Sequence, residues 1–174
     1  MTISYKERLP KITTLIFDVD GVLTNGMVSV MPDGQLIRQL SSKDGYALQY
    51  AVKKGYQVAI ITGGKSVAMS DALQRLGVRH IFLESKNKVD VFNTFVAKHK
   101  LSPEEILYMG DDIPDYEVLK LVGVASCPAD ACEEVRGVVH YVSHRNGGCG
   151  CVRDVIEQTM RVQGKWFDTD AHEW

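Results

Sequence analysis

The chain has 174 residues, 45% hydrophobic and 24% charged, with a formal net charge of −2. This balance fits one soluble domain, residues 1–174, able to bury a core, and excludes disordered and fibrous classes. No block of Lys and Arg is present, so neither nucleic acid nor an anionic membrane surface is expected as a partner. No apolar run reaches the ~20 residues of a membrane span, and the first residues carry no secretory apolar core, so a cytoplasmic setting is expected.

Ile12, Leu15, Ile16 and Phe17 read as a buried strand that runs into Asp18-Val19-Asp20-Gly21. Residues two apart on an extended segment share a face, so Asp18 and Asp20 leave this strand together at its carboxyl end, where open α/β sheets keep their ligand crevice. Two adjacent carboxylates, one a nucleophile and one a carrier of protons, suit phosphoryl transfer, although an Asp-rich turn has the same composition. Residues 28–40 then form two strand-like pieces around Pro32-Asp33-Gly34, which predicts a hairpin. Spanning about residues 26–41, it reads as a flap or a subunit contact above the Asp18 crevice.

Helices and strands alternate from there. Ala47, Leu48, Ala51 and Val52 share a helix face that stops at Gly55, and residues 56–61 form a strand. Val67, Leu73 and Leu76 mark a helix before Gly77, and residues 80–83 a strand. Val89, Phe92, Phe95 and Val96 mark the next helix, residues 106–109 a strand, and Val118, Leu119 and Val122 a short helix. Residues 122–125 and, more weakly, 140–142 read as strands, and Val152, Val155, Ile156 and Met160 as a last helix. This alternation predicts an α/β fold, a Rossmann-like parallel sheet with helices on both faces in three layers.

Three later stretches carry chemistry. Thr62-Gly63-Gly64-Lys65 ends a strand, and a hydroxyl with backbone amides at a helix start is the donor set for a phosphoryl oxygen, though it is also an ordinary turn. Ser85-Lys86-Asn87-Lys88 opens a helix with two lysines that compete for the place of a neutralising cation. Gly110-Asp111-Asp112-Ile113-Pro114-Asp115 clusters acids that repel unless a cation joins them, and hard oxygen ligands suit Mg²⁺; helix capping by Asp111 or Asp112 is the plainer alternative. Cys127, Cys132, Cys149 and Cys151 have no standard zinc spacing and are expected as free, reduced thiols.

In this order the four stretches resemble the haloacid dehalogenase-like phosphohydrolase superfamily over residues 16–115. With Lys43-Asp44-Gly45-Tyr46-Ala47, Asn87-Lys88 and Gly147-Gly148-Cys149-Gly150 added, nearly the whole chain resembles its small cap-less branch, which acts on keto-deoxy sugar-acid phosphates such as 3-deoxy-D-manno-octulosonate 8-phosphate in lipopolysaccharide sugar synthesis. The resemblance implies Asp18 as nucleophile, Asp20 as acid and then base, Thr62 with Gly63 and Gly64 around the phosphoryl oxygens, and Lys88 as their cationic partner. It implies Mg²⁺ on the Asp18 carboxylate, the Asp20 carbonyl and Asp111, with Asp112 and Asp115 acting through water or by orienting the others.

Only about 20 residues separate Gly21 from Lys43, and about as many Lys88 from Asp111, far fewer than the ~50 an independent cap domain needs. The resemblance therefore implies a homotetramer in which flap hairpins meet and a neighbour's aromatic tail, about residues 164–174, covers the open site. Lys65 and Cys149 stand where the family often has arginine, so the sugar-acid carboxylate is expected to be met by Lys65, Lys43, Arg145 or a neighbouring subunit. A related branch acts on nine-carbon sugar-acid 9-phosphates, and by the resemblance Thr62-Gly63-Gly64, rather than Thr-Gly-Glu, implies the eight-carbon substrate. A receiver domain and a catalytically idle tetramerisation scaffold are the readings from other classes. The first would need its phosphorylated aspartate on the third strand, where this chain has Leu83-Glu84, and the second has no use for both Asp18 and Asp20.

Overall fold

Thr14–Phe17 forms the central strand, β1, and all four of its residues are buried. A strand with no exposed face must be covered on both sides, and its alternating side chains divide between two cores: Leu15 and Phe17 enter one, Ile16 the other. The computed structural model describes residues 4–173. In it β4 (Gln57–Ile61) and β6 (Ile106–Met109) flank β1, β5 (His80–Phe82) lies outside β4, and β7 (Val124–Cys127) and β8 (Tyr141–Val142) continue beyond β6. All five pairings are parallel.

One face carries α1 (Tyr5–Arg8), α2 (Ser42–Lys53), α3 (Val67–Arg75) and α7 (Cys151–Val162), packed on Leu15, Phe17, Val58, Ile60 and Leu107. The other carries α4 (Lys88–His99), α5 (Tyr116–Leu119) and α6 (Glu133–Arg136), packed on Ile16, Ala59, Ile61, Tyr108 and Ala125. The three-layer Rossmann-like arrangement is thus the one the alternation predicts. Between β1 and α2 the chain makes an antiparallel hairpin of β2 (Ser29–Val30) and β3 (Leu36–Ile37), and between α4 and β6 only a short turn at Pro103–Glu105, so neither place holds a cap domain. Among the described residues no helix is long and apolar enough to cross a membrane.

The chain moves from β1 outward through β4 to β5, then returns to the other side of β1 with β6. Such a reversal opens a crevice at the carboxyl ends of the strands. Register keeps those ends level, since Phe17 lies opposite both Ile60 and Met109. Whatever follows Phe17, Ile61 and Met109 therefore meets.

Local differences from the sequence reading have identifiable causes. Val67 is 65% exposed, because six positions ahead of Leu73 it falls off the helix face at 100° per residue; Met69 takes its place in the core. The strand expected at residues 122–125 begins at Val124, since the Gly123 amide donates to the Pro103 carbonyl and Gly123 itself abuts the Glu104 backbone. The tail does not extend away from its own chain. Trp166 packs edge-on against Tyr46 and Tyr50 of α2, and Lys54 pairs with Asp168 and Asp170 at 3.1 and 2.6 Å, so Trp166 is used within the chain while Phe167 stays 71% exposed; Trp174 lies outside the described residues.

Candidate active site

Asp18 is the first residue beyond β1. Its amide donates to the Met109 carbonyl, which ties it to the end of β6, and its Oδ1 accepts from the Val19 amide at 2.7 Å. The turn that follows depends on Gly21, whose φ of +88° suits glycine and whose missing side chain leaves room for Asp111: a Cβ there would lie 2.0 Å from Asp111 Oδ2. Asn87 caps α4 by accepting from the Val89 and Asp90 amides, which makes Lys88 the first helical residue. Lys88 is buried, with its ammonium 2.8 Å from Asp18 Oδ2 and 2.7 Å from Asp115 Oδ1. Of the two competing lysines, Lys88 is the one held against the carboxylates.

Asp115 is fully buried and also accepts from the Tyr108 hydroxyl at 2.6 Å and the Asp111 amide at 3.3 Å. Asp18, Asp111 and Asp115 bring one carboxylate oxygen each within 4.8 Å of one another. One ammonium therefore faces three carboxylates. Burial, followed by the charge of Asp115, pushes Asp18 up to about 6 in spite of Lys88. Burial and then the charges of Asp18 and Asp115 push Asp111 up to about 7. Burial works to lower the Lys88 pKa, but Asp18 and Asp115 hold it above its usual value. Asp111 Oδ1 is buried without a hydrogen-bond partner. An uncompensated cluster with an orphaned oxygen fits a divalent cation with oxygen ligands, held by Asp18 and Asp111.

Around this cluster lies an open crevice of about 500 Å³ that includes Asp20, Thr62, Gly63, Gly64, Lys86 and Asp112 in its lining. Thr62 is buried at the end of β4, and its hydroxyl accepts from the Gly64 amide at 3.2 Å. Asp112 is exposed at the entry to the turn that carries Asp115. Asp20 points toward the hairpin, where Arg38 grips it.

The family model of haloacid dehalogenase-like hydrolases matches residues 39–123. The 3-deoxy-D-manno-octulosonate 8-phosphate phosphatase KdsC of Salmonella typhi is 36% identical over 154 residues, 88% of this chain and 82% of that protein. This chain belongs to the 3-deoxy-D-manno-octulosonate 8-phosphate phosphatase family of haloacid dehalogenase-like hydrolases. Solved members of the family have the same fold. The Yersinia pestis phosphatase aligns with a TM-score of 0.90 at 31% identity, over 92% of this chain and 87% of that one. The Moraxella catarrhalis phosphatase, crystallised with a magnesium ion, a phosphate ion and a KDO molecule, aligns with a TM-score of 0.90 at 28% identity, over 93% of each chain.

Set beside its family, the chain gathers Asp18, Asp20, Thr62, Gly63, Gly64, Lys88, Asp111, Asp112 and Asp115 at one crevice. It does not bring Lys43 or Arg145 there. Asp44 is buried, accepting from the Gly150 and Arg153 amides at the start of α7, and this contact turns Lys43 and the Arg145 loop toward a separate hollow beside Cys149 and Arg153. Lys65 is exposed and pairs with Glu84 at 3.4 Å, outside the crevice lining. The four cysteines are free. Sequence reasoning missed Tyr108, a polar ring in an otherwise apolar strand, and Arg38, a lone cation in an apolar hairpin.

Proposed function

We propose that this chain is a Mg²⁺-dependent phosphomonoester hydrolase that removes phosphate from 3-deoxy-D-manno-octulosonate 8-phosphate through an aspartyl phosphate. The observation that carries the reading is the buried cluster of Asp18, Asp111 and Asp115 around one lysine, with Asp111 Oδ1 left unpartnered. The substrate follows from the family's names and from the KDO molecule in the Moraxella catarrhalis structure.

Asp18 attacks phosphorus as the bond to the sugar oxygen breaks. Asp20 protonates that oxygen and then, as a carboxylate, takes a proton from the water that cleaves the aspartyl phosphate. The Thr62 hydroxyl and the Gly63 and Gly64 amides receive phosphoryl oxygens, and Lys88 holds the Asp18 carboxylate in place while offsetting charge. Asp115 orients Lys88, and Asp112 acts through water at the rim. Mg²⁺, held by Asp18, Asp111 and the Asp20 carbonyl, supplies the positive charge that lets a phosphate dianion approach a carboxylate. With Lys43, Arg145 and Lys65 all outside the crevice lining, the substrate carboxylate is met by a neighbouring subunit.

The same reading makes the protein a cytoplasmic homotetramer in which the hairpins meet. Met27 and Val30 are each 73% exposed, and Met31, Leu36 and Ile37 add to an apolar surface of the kind that marks a subunit contact. Light scattering of active protein is expected to give four times the chain mass, and a monomer at full activity would remove this part. The activity is tested by phosphate release across keto-deoxy sugar-acid phosphates and plain hexose phosphates, with Asp18→Asn as control. Mg²⁺-dependent turnover of the eight-carbon substrate, abolished in the variant, is expected. A preference for nine-carbon 9-phosphates or hexose phosphates would change the substrate, and no turnover of any would leave a scaffold.

A further inference from the structure

Arg38 leaves β3 on the returning side of the hairpin, next to Leu36 and Ile37, which are about half exposed. Its own side chain is only 8% exposed, because it folds down onto Asp20. Nε lies 2.5 Å from Asp20 Oδ1 and Nη2 lies 3.1 Å from Oδ2. Two parallel bonds fix a planar carboxylate in rotation as well as position, which a lysine cannot do. The third nitrogen, Nη1, is buried without a hydrogen-bond partner among the described residues.

The two Asp20 oxygens differ in setting. A side chain on Gly64 would begin 3.1 Å from Oδ2, so Oδ2 faces the Thr62 to Gly64 corner, while Oδ1 carries the shorter bond to Arg38. We propose that Arg38 is a positioning residue through which the flap aims the Asp20 acid: Nε anchors Oδ1 at 2.5 Å, and Oδ2, held only by the longer bond from Nη2 at 3.1 Å, passes a proton to the leaving oxygen. This inference rests on the roles given to Asp18 and Asp20 above. As the phosphorus–oxygen bond breaks, its electron pair stays on the sugar oxygen, which takes the proton from Oδ2. Asp20 is then the carboxylate that Arg38 holds with both bonds, ready to accept a proton from water.

The test compares native protein, Arg38→Gln and Arg38→Lys in Mg²⁺, by single-turnover release of the leaving group, which precedes hydrolysis of the aspartyl phosphate. Two substrates are used: 3-deoxy-D-manno-octulosonate 8-phosphate, whose alkoxide needs a proton, and p-nitrophenyl phosphate, whose phenolate leaves without one. Arg38→Gln is expected to slow sugar release about 10- to 100-fold and to leave nitrophenolate release unchanged. Arg38→Lys, with the charge but not the fork, falls between. A merely structural role slows both substrates together, as would a partly unfolded variant, so equal losses or no loss overturn the proposal. Should the native protein release neither leaving group, the reading of the site fails instead.

Discussion

Stripping the divalent cation while raising the pH should destabilise this protein, and the site sets the size of the effect. Burial and mutual repulsion push Asp18 up to about 6 and Asp111 up to about 7, from an ordinary value of 3.8. A carboxyl whose folded pKa lies above its unfolded one favours the fold in its protonated form. Its contribution is therefore whole below about pH 4 and is lost as pH rises through 6 to 7. For Asp18 alone this amounts to about 3 kcal/mol, or roughly 6 to 12 °C in melting temperature for a chain of this size. Bound Mg²⁺ acts in the opposite sense, because it favours the ionised carboxylates. Scanning calorimetry with chelator or with Mg²⁺, at pH 4 and at pH 8, isolates the term, since groups away from the site cancel in the difference. The Mg²⁺ increment should be near zero at pH 4 and of that order at pH 8, and it should shrink in Asp18→Asn. An increment equal at both pH values would refute the argument.

Three further outcomes follow from the same contacts. Lys88→Met leaves Asp18 and Asp115 without their shared cation; phosphate release should fall about 10²- to 10³-fold, and urea denaturation at pH 8 should report a loss of about 3–5 kcal/mol. Gly21→Ala drives a methyl into Asp111 Oδ2, so the Mg²⁺ concentration for half-maximal activity should rise about 10- to 100-fold. Asp44→Ala removes the carboxylate that accepts from the Gly150 and Arg153 amides at 3.1 and 2.7 Å, and should cost about 1–2 kcal/mol in denaturant titration with kcat unchanged.

Residues whose role depends on their place along one element were readable in advance. Asp18, Thr62 and Asp111 each follow an apolar run, and a parallel sheet delivers such positions to one rim. Gly55 and Gly77, both with positive φ, close helices where glycine was expected to. Lys88 was separable from Lys86 only through the resemblance, whose Asn-Lys pair falls on Asn87-Lys88; in the structure Asn87 caps α4 and sets where that helix begins. Arg38 and Tyr108 were not legible. Arg38 meets Asp20 across 18 positions of hairpin, and Tyr108 reaches Asp115 from inside a core strand, so neither contact leaves a periodic trace.

Lys43, Arg145 and the tail are engaged within their own chain. Their charges and aromatics invited a substrate or a neighbour, yet Asp44 and α2 claim those segments within the chain. The amino-acid order alone determined the α/β layering and the acids at the ends of β1 and β6, because both rest on local hydrophobic period and on what stands just past a strand. Tertiary structure alone decided which oxygen is left for a metal and which flap residue holds Asp20. Those are matters of distance between remote segments, where a few ångströms separate an ion pair from a solvated charge.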